Sequence, residues 1–372
     1  MKVTIERAQL LKGMSRTQGV VERKNTIPIL ANVLIEAEGD RISLRATDLD
    51  VEVIEDIPAM VEQAGTTTVP AHLLHEIVRK LPDGAQLKLR TDPGTERLEI
   101  SAGRSRFTLA TLPRQDFPVM ASSEYQCTYK APVPVIRRLF EKSQFAVSTE
   151  ETRYYLNGVY LHVVDEGGAR KLRAVATDGH RLARIDAELP PGAETAPGVI
   201  VPRKTVGELR KLLDNDEGEI TISVSETKIR FAVEALVLTS KVIDGAFPDY
   251  SRVIPQSNTR RLEVDASEFA DAVNLVATVS QERSRAIKLS MEQDKLTLSV
   301  NSPEAGSATD ELAVAYGDDD MEIGFNARYL LEIASQVDRE NAVFLFADPN
   351  APTLVREGDD DSAVYVVMPM RV

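Results

Sequence analysis

The sequence has 372 residues, of which 43% are hydrophobic and 27% charged, and a formal net charge of −14. The proportions indicate a soluble globular protein, and the length indicates two to three domains. No apolar run approaches the ~20 residues that cross a bilayer, the first residues lack the apolar core of a signal peptide, and the single cysteine, Cys127, excludes an intrachain disulfide and a cysteine-based metal site. We therefore expect a cytoplasmic protein without membrane contact. Because the chain is acidic, any binding of nucleic acid requires a local basic patch.

Three stretches of the chain begin alike, with a short strand that leads into a helix. The strands are expected at 3–5, 127–129 and 262–264, and the helices at about 7–20, 133–145 and 266–279. Apolar residues at helical spacing predict a second helix in each stretch, with Glu76, Glu208 and Glu332 in register at offsets of 132 and 124 residues. Pro70 and Pro202 fit the first turn of two of these helices, and Asn326 fits an N-cap.

The remaining segments alternate polar and apolar residues, as half-buried strands do. Examples are 41–46, 86–90 and 295–300, and short turn signals such as 38–40 separate such strands. Connections this short join antiparallel strands, because a parallel crossover needs a dozen or more residues. We therefore predict an α+β fold of three repeated domains, each with antiparallel sheets and two helices, at residues 1–124, 125–256 and 257–372.

Familiar catalytic and cofactor-binding motifs are missing: the sequence contains no phosphate loop, dinucleotide-binding loop or nucleophile elbow. His72 and His75 have a spacing that could hold zinc, but no third ligand is evident nearby, which favours solvated helix residues. Asp178 and His180 suggest a hydrolase, although their Thr-Asp-Gly-His run is typical of a turn. The acidic run 358–361 favours a hairpin tip over a cation site. We predict no catalytic activity, no cofactor and no metal.

Several predicted helices are basic within this acidic chain. In the second repeat, the first helix carries Arg137 and Arg138, and the second helix carries Arg203 and Lys204. If the repeats are related by rotation, their helices share one side, which would attract a polyanion without reading its sequence. Ordinary solvated helix faces have the same composition, so both interpretations stay open on these residues alone.

Six segments carry a resemblance that covers the whole chain. They are 27–30 (Ile-Pro-Ile-Leu), 105–107 (Ser-Arg-Phe), 153–158 (Arg-Tyr-Tyr-Leu-Asn-Gly), 176–183 (Ala-Thr-Asp-Gly-His-Arg-Leu-Ala), 247–250 (Phe-Pro-Asp-Tyr) and 365–371 (Tyr-Val-Val-Met-Pro-Met-Arg). The sequence closely resembles the bacterial DNA sliding clamp, the beta subunit of DNA polymerase III. The resemblance implies a head-to-tail homodimer that closes a six-domain ring around duplex DNA, with each chain forming half of the ring. Helices would line the hole, and the DNA would be held by topology, independently of its sequence.

The resemblance also implies three sets of site residues. A partner pocket between the second and third domains would take short linear motifs of the DNA polymerase III catalytic subunit, the clamp loader, translesion polymerases and repair factors. Its matching residues are Leu156, Thr177, Gly179, His180, Arg181, Leu182, Pro248, Arg252, Val253, Val366, Met368, Pro369, Met370 and Arg371. DNA contacts are implied for Lys24, Tyr154, Tyr155 and the basic helix position Lys204. The implied dimer seam has Arg104, Arg106, Phe107 and Leu109 on one side and Val279 on the other, with acids such as Glu304, Asp310 or Glu311 facing the arginines.

Three classes of function compete for this sequence: a DNA sliding clamp, a hydrolase that uses Asp178 and His180, and a repeat scaffold that binds peptides without encircling DNA. The missing nucleophile, metal cluster and phosphate loop favour the clamp over the enzyme. The basic helices favour the clamp over the scaffold. We therefore predict a clamp that tethers the replicative polymerase for processive synthesis and recruits its other partners through the apolar pocket.

Overall fold

The computed structural model describes residues 1–22, 26–91, 94, 96–121, 123–213, 217–280, 285–303 and 305–372. The chain divides into two compact units. Unit 1 consists of Met1–Arg137 and Pro190–Val242, and unit 2 consists of Arg138–Leu189 and Ile243–Val372. The chain therefore passes from one unit to the other at three points, all within the expected second repeat, and the two predicted domain boundaries stay a prediction.

Two α-helices lie in each expected repeat, which makes six in the described part of the chain. They are α1 (Arg7–Thr17), α2 (Ala71–Lys80), α3 (Val133–Gln144), α4 (Arg203–Leu212), α5 (Ala266–Ala277) and α6 (Ala327–Ala334). Short 3₁₀ helices lie at Pro28–Ala31, Arg114–Asp116, Glu151–Leu156 and Tyr250–Val253. The predicted helices are thus confirmed, although α1 ends three residues earlier than expected. None of the described helices combines the length and the apolarity needed to cross a membrane.

The first residues of these helices show how the sequence sets their starts. The Asn326 side chain accepts a hydrogen bond from the backbone N–H of Arg328 at 3.0 Å, which confirms it as the N-cap of α6. The sequence places Pro70 and Pro202 in the first turn of a helix. In the structure each lies one residue before its helix, where it ends a strand. Their φ angles of −55° and −58° suit both a strand end and a helix start, so the pattern alone leaves that boundary open by one residue.

Strands make up most of the remaining structure. In chain order they are β1 (Lys2–Glu6), β2 (Asn32–Glu38), β3 (Arg41–Thr47), β4 (Val51–Pro58), β5 (Met60–Gln63), β6 (Gly65–Pro70), β7 (Gln86–Arg90), β8 (Arg97–Ala102), β9 (Ser105–Ala110), β10 (Cys127–Pro132), β11 (Gly158–Glu166), β12 (Ala169–Thr177), β13 (Arg181–Glu188), β14 (Val199–Pro202), β15 (Glu219–Val224), β16 (Lys228–Val233), β17 (Leu236–Lys241), β18 (Arg260–Asp265), β19 (Ala286–Glu292), β20 (Lys295–Ser302), β21 (Gly306–Ala313), β22 (Ala315–Tyr316), β23 (Met321–Asn326), β24 (Asn341–Phe346), β25 (Thr353–Glu357) and β26 (Asp360–Val367). The predicted strands at 41–46, 86–90 and 295–300 are β3, β7 and β20. The predicted turn at 38–40 connects β2 to β3, with Gly39 at a φ of +63°.

Unit 1 contains two antiparallel sheets. Five strands pair in the order β5-β1-β7-β8-β9, and eight pair in the order β10-β15-β16-β17-β4-β3-β2-β6. In the larger sheet β17 pairs with β4, with Leu238 opposite Val53, so strands of the first and second repeats form one sheet. Helices α1 and α2 bury their apolar faces in a common core, where Leu10 and Met14 meet Leu74. Apolar residues four apart lie on one face of a helix, which explains why these side chains enter the core together.

Unit 2 repeats this arrangement with strands of the second and third repeats. Eight of its strands pair in the order β11-β12-β13-β26-β25-β24-β18-β22, and four others in the order β21-β20-β19-β23. The β13–β26 pair places Leu182 opposite Val366 and so joins the two repeats. On α5 the fully buried Phe269 packs against Phe344 of β24, with ring centroids 5.0 Å apart. The α+β fold with antiparallel sheets is therefore confirmed.

Candidate functional site

A tight turn between β12 and β13 begins the site in unit 2. Thr177 Oγ1 donates to the carbonyl of Arg181 at 2.7 Å and accepts from the N–H of Gly179 at 3.1 Å. Asp178 Oδ1 accepts from the N–H groups of His180 and Arg181 at 2.9 and 3.0 Å. Gly179 has a φ of +88°, a conformation that favours glycine. The Asp178 carboxylate therefore shapes the turn expected from the sequence. The hydrolase alternative requires this carboxylate to orient the ring of His180, but Oδ1 instead binds backbone N–H groups.

Arg181 is held inside unit 2. The side chain is 6% exposed and forms an ion pair with Glu332 of α6, while Nη2 donates to the carbonyl of Phe145 at 2.7 Å. The guanidinium lies 4.4 Å from the ring centroid of Tyr329, which also stacks on His180. Burial lowers the pKa of Arg181, partly offset by Asp178. Arg181, which the resemblance places in the partner pocket, therefore holds the turn against α6, since its charge is already paired within unit 2.

An apolar floor lies beside this turn. Its buried members come from four separate segments of unit 2, and Phe247, Tyr250 and Leu354 pack against them half-buried. The buried members are Val175, Leu182, Ile254, Val364 and Val366. Two expected pocket residues, Leu182 and Val366, are therefore brought together. A third, Leu156, is buried at the end of a 3₁₀ helix and is not part of this cluster.

Exposed apolar side chains belong to the segments next to this floor. Val253 is 49% exposed and Met368 is 40% exposed, and Pro248 is exposed as well. The N–H of Met368 donates to the carbonyl of His180 at 2.9 Å, which ties the segment after β26 to the turn. Soluble proteins bury most large apolar groups, so an exposed apolar rim beside an apolar floor indicates a surface that takes an apolar ligand.

Arg252 supplies a positive charge near this rim. Its side chain is 82% exposed, and its Nε pairs with the Asp249 carboxylate at 2.8 Å. Hydrogen bonds from the side chain of Ser251 and from Arg252 lower the pKa of Asp249. Because this pair is open to water, Arg252 is available to an acidic group of a ligand.

Beneath the rim, a buried polar network supports Phe247 and Tyr250. Arg173 binds Asp186 with two hydrogen bonds of 2.6 and 2.8 Å and donates to the Tyr250 hydroxyl at 3.3 Å. That hydroxyl also lies 3.1 Å from Nε2 of His162. Burial of His162 lowers its pKa to about 4. This support was missed in the sequence, since its members lie on β11, β12, β13 and a 3₁₀ helix. A weak signal existed in Tyr160 and His162, two apart on β11 and stacked at 4.3 Å.

Family comparisons match nearly the whole chain. Models of the N-terminal, central and C-terminal domains of the DNA polymerase III beta subunit match residues 1–121, 131–249 and 251–371. The chain belongs to the bacterial beta sliding clamp family. The prediction of a DNA sliding clamp and of the clamp fold is thereby confirmed.

Individual clamps are similar along their full lengths. The beta sliding clamp of Caulobacter vibrioides NA1000 is 54% identical over 372 residues, and that of Escherichia coli K12 is 36% identical over 376 residues; each pair is covered completely. The clamp structure from Bartonella birtlesii bound to griselimycin has a TM-score of 0.97 at 49% identity, and the Caulobacter crescentus clamp has 0.94 at 53%. Both structural matches cover all of each chain.

The basic residues expected to contact DNA in this sliding clamp differ in their availability. Lys24 lies outside the described residues. In unit 1, Arg137 donates to the carbonyl of Leu213 at 2.9 Å, whereas Arg203 is exposed. In unit 2, Arg138 donates to Ser362 Oγ at 2.8 Å. Arg203 is thus open to solvent, whereas the guanidinium groups of Arg137 and Arg138 bind groups of their own units, and the DNA contacts of all three stay a prediction.

Lys204 is also bound within its own unit. Its ammonium contacts the Asp48 carboxylate and lies 3.2 Å from Glu22 Oε1. Burial lowers the pKa of Lys204, but the hydrogen bonds with Asp48 and Glu22 outweigh burial and raise it. The charge is therefore kept and partly neutralised by two acids.

Two tyrosines expected at the DNA lie together in unit 2. Tyr154 is 54% exposed and Tyr155 is half-buried, and their rings meet edge to face with centroids 5.8 Å apart. Tyr154 therefore leaves part of an aromatic ring open to solvent.

The residues expected at the dimer seam lie on or near sheet edges. In unit 1, β9 is the last strand of its sheet. Arg104 just before it and Arg106 on it are exposed, Phe107 is half-buried and Leu109 is buried in the core. Leu109 and Phe107 share the inward face of β9, and Leu109 is part of the core of unit 1.

The other expected seam lies in unit 2, where β21 is the last strand of its sheet and carries Asp310 and Glu311. Val279 is half-buried just after α5, and Leu275, four residues earlier, is 63% exposed. Leu275 was missed, although its spacing from Val279 is the signal of a shared helix face. Glu304 lies outside the described residues.

Two other sequence alternatives concern metal ions. The sequence favoured solvated histidines on this helix, but His72 and His75 are half-buried. A ring nitrogen of His72 lies 3.0 Å from the Val21 carbonyl, and one of His75 lies 3.2 Å from Ser15 Oγ. Among the described residues, no group of three or more His, Cys, Asp and Glu is placed to hold a metal ion. The run 358–361 contains the turn between β25 and β26, with Gly358 at a φ of +59°.

Proposed function

We propose that two copies of the chain close head to tail into a ring of six domains around duplex DNA. In each copy the domains are residues 1–124, 125–256 and 257–372, and each copy forms half of the ring. The ring acts in the cytoplasm on the nucleoid, tethers the catalytic subunit of DNA polymerase III, and catalyses no reaction. Membership of the sliding clamp family supports this assembly.

The ring closes through the sheet edges at β9 and β21. A free strand edge offers unpaired backbone groups, so pairing the two edges would remove an aggregation hazard and add an intermolecular sheet. Arg104, just before β9, and Arg106, on β9, have the charge opposite to that of Asp310 and Glu311 on β21, which favours this head-to-tail pairing over a symmetric one. Phe107 provides the apolar centre on one side, and Leu275 and Val279 provide it on the other.

DNA passes through the ring without sequence readout. Arg203 contributes an exposed charge, and Tyr154 and Tyr155 contribute aromatic faces. Lys24, Arg137, Arg138 and Lys204 add positive potential, although Arg137 and Arg138 bind neutral groups of their own units and Lys204 is partly neutralised by Asp48. Contacts this weak suit sliding, since topology keeps the ring on the DNA.

Short linear motifs of partners bind at the apolar floor and rim of unit 2. One observation carries this proposal: Val253 and Met368 remain exposed beside a buried cluster that includes Leu182 and Val366. Burying two Leu or Phe anchors there is worth ~3–6 kcal/mol before ordering costs. A micromolar Kd requires about 8 kcal/mol, so anchors of this size give a weak, exchangeable contact. Exchange allows the polymerase, the clamp loader, translesion polymerases and repair factors to share the site.

Deleting residues 368–372 tests this assignment. A fluorescein-labelled peptide with Leu and Phe anchors should bind the full chain, and its binding should be abolished by the deletion, as measured by fluorescence anisotropy. The same peptide with both anchors changed to Ala is the control for apolar recognition. Sedimentation should show an unchanged dimer. If the truncated dimer binds the peptide as tightly as the full chain, the pocket lies elsewhere.

Retention on DNA separates the clamp from a peptide-binding scaffold. The dimer should stay on nicked circular DNA and leave when the circle is linearised. A protein that binds the peptide but shows no such dependence on circular topology is a scaffold and not a ring.

A further inference from the structure

Gly324 lies where two segments of unit 2 come unusually close. It is buried in β23, which pairs with β19 on one side, with Gly324 opposite Lys288. Near it runs the segment Met368–Val372, where the N–H of Met370 donates to the carbonyl of Gly324 at 2.8 Å. A Cβ atom on Gly324 would lie 2.4 Å from the carbonyl oxygen of Met370 and 2.5 Å from Cγ1 of Val372.

Space, and not backbone conformation, is the reason for glycine here. Unlike Gly179, Gly324 is not among the residues with positive φ. Real Cβ atoms do not approach other atoms to 2.4 Å, and the atom in the way is a backbone oxygen, which moves only if the whole segment moves. Any side chain at position 324 must therefore displace the segment or strain β23.

The segment held by Gly324 is the one that forms the rim of the peptide pocket. Two backbone hydrogen bonds fix it, from Met368 to the carbonyl of His180 and from Met370 to Gly324. Pro369 lies between them and restricts the backbone of Met368 to extended conformations. The seating of Met370 therefore sets where the exposed side chain of Met368 points.

We propose that Gly324 is a positioning residue for partner binding: by admitting the backbone of Met370 against β23, it holds Met368 and Pro369 at the rim of the pocket. This inference rests on the proposed function of the pocket, but it assigns a role to a residue that contributes no side chain to it. A segment that is already seated loses less conformational freedom when a peptide binds.

Gly324→Ala tests the proposal, and Gly317→Ala is its matched control, since a Cβ on Gly317 meets no atom within 4 Å. The labelled peptide should bind Gly324→Ala at least tenfold more weakly than wild type, and Gly317→Ala within twofold. Hydrogen exchange followed by mass spectrometry should speed up in residues 368–372 of Gly324→Ala only. The amides of β19 and β23 should keep their protection, and sedimentation should show the same dimer.

Other results overturn either this proposal or the proposed pocket. Peptide affinity within twofold of wild type overturns it, and so does faster exchange throughout β19 and β23, which would mark a purely structural role. If wild type itself fails to bind the peptide, the proposed pocket is wrong, and exchange in residues 368–372 still reports whether Gly324 seats the segment. Should Gly324→Ala fail to fold, Val372→Ala loosens the same contact from the segment side; it should weaken binding a few-fold, and unchanged binding overturns the proposal.

Discussion

Replacing Lys142 with Met should destabilise unit 2 strongly. Lys142 lies on α3. Its ammonium group lies 2.7 Å from Glu357 Oε1 and 2.8 Å from Asp338 Oδ2, and it also donates a hydrogen bond to the carbonyl of Gln336. The side chains of Lys142 and Glu357 are each 7% exposed, whereas that of Asp338 is 73% exposed. The pair therefore joins the second and third expected repeats in a nearly dry environment.

The expected loss of stability follows from the burial of the Lys142–Glu357 pair. Removing one partner of a buried ion pair leaves the other charge without compensation and costs ~3–5 kcal/mol. Asp338 adds little, because an exposed pair contributes about 0–1 kcal/mol. With a denaturant slope of ~2–3 kcal/mol per M of urea, the unfolding midpoint of unit 2 should fall by roughly 1–2.5 M.

Urea unfolding followed by circular dichroism measures the midpoint, and two further variants make the reasoning specific. Lys130→Met breaks an exposed contact with Glu219 at 3.7 Å and should shift the midpoint little. In the double variant Lys142→Met, Glu357→Gln, the buried charge is gone, and much of the lost stability should return. A Lys142→Met midpoint equal to that of Lys130→Met, or a double variant no better than the single one, would refute the argument.

The remaining predictions concern the dimer, the DNA and pH. Phe107→Asp should give a folded monomer that leaves circular DNA, since truncating a buried interface aromatic costs ~2–4 kcal/mol and a charge costs more; a tight dimer in sedimentation contradicts the seam. Arg203→Glu should lower the slope of log affinity for DNA against log salt by about one, whereas Lys130→Glu, the control, should not; an unchanged slope means that α4 does not face DNA. His162 has a pKa of about 4 against an ordinary value of 6.5, so the unfolded chain binds its proton first, and stability should fall as pH drops from 6.5 to 4. In a plot of urea midpoint against pH, His162→Gln should flatten the fall between pH 6.5 and 4. If the curve of the variant runs parallel to that of wild type, His162 is not the cause of the fall.

Local order could be predicted from the sequence. The six helices, the strands at β3, β7 and β20, and the turn at Asp178 follow from periodicity, from Gly179 and from capping residues such as Asn326. These features depend on neighbours within a few residues, so a pattern of residue types is enough to place them. The repeat also identified the fold class, because the same elements return in the same order at offsets of 132 and 124 residues.

The pocket residues were predicted through the resemblance, but their separate roles were not. The resemblance placed Leu182, Arg181 and Met368 in one pocket, whereas the structure puts Leu182 in the floor, the charge of Arg181 inside unit 2, and Met368 at the rim. Sequence gives residue types, and exposure depends on which strands pair. Here the pairing of β13 with β26 places Leu182 opposite Val366, and both side chains are buried in the floor.

Only the tertiary structure decided which charges are free. Lys204 and Asp48 are 156 residues apart, and Lys142 and Glu357 are 215 residues apart, yet each pair is in contact. No local pattern distinguishes these lysines from exposed ones such as Lys130, because the Coulomb energy depends on the distance in space and on how much water remains between the charges. The sequence therefore determined the elements and their repetition, and the packing of distant segments determined where a charge is neutralised, where an apolar face stays open, and why Gly324 has no room for a side chain.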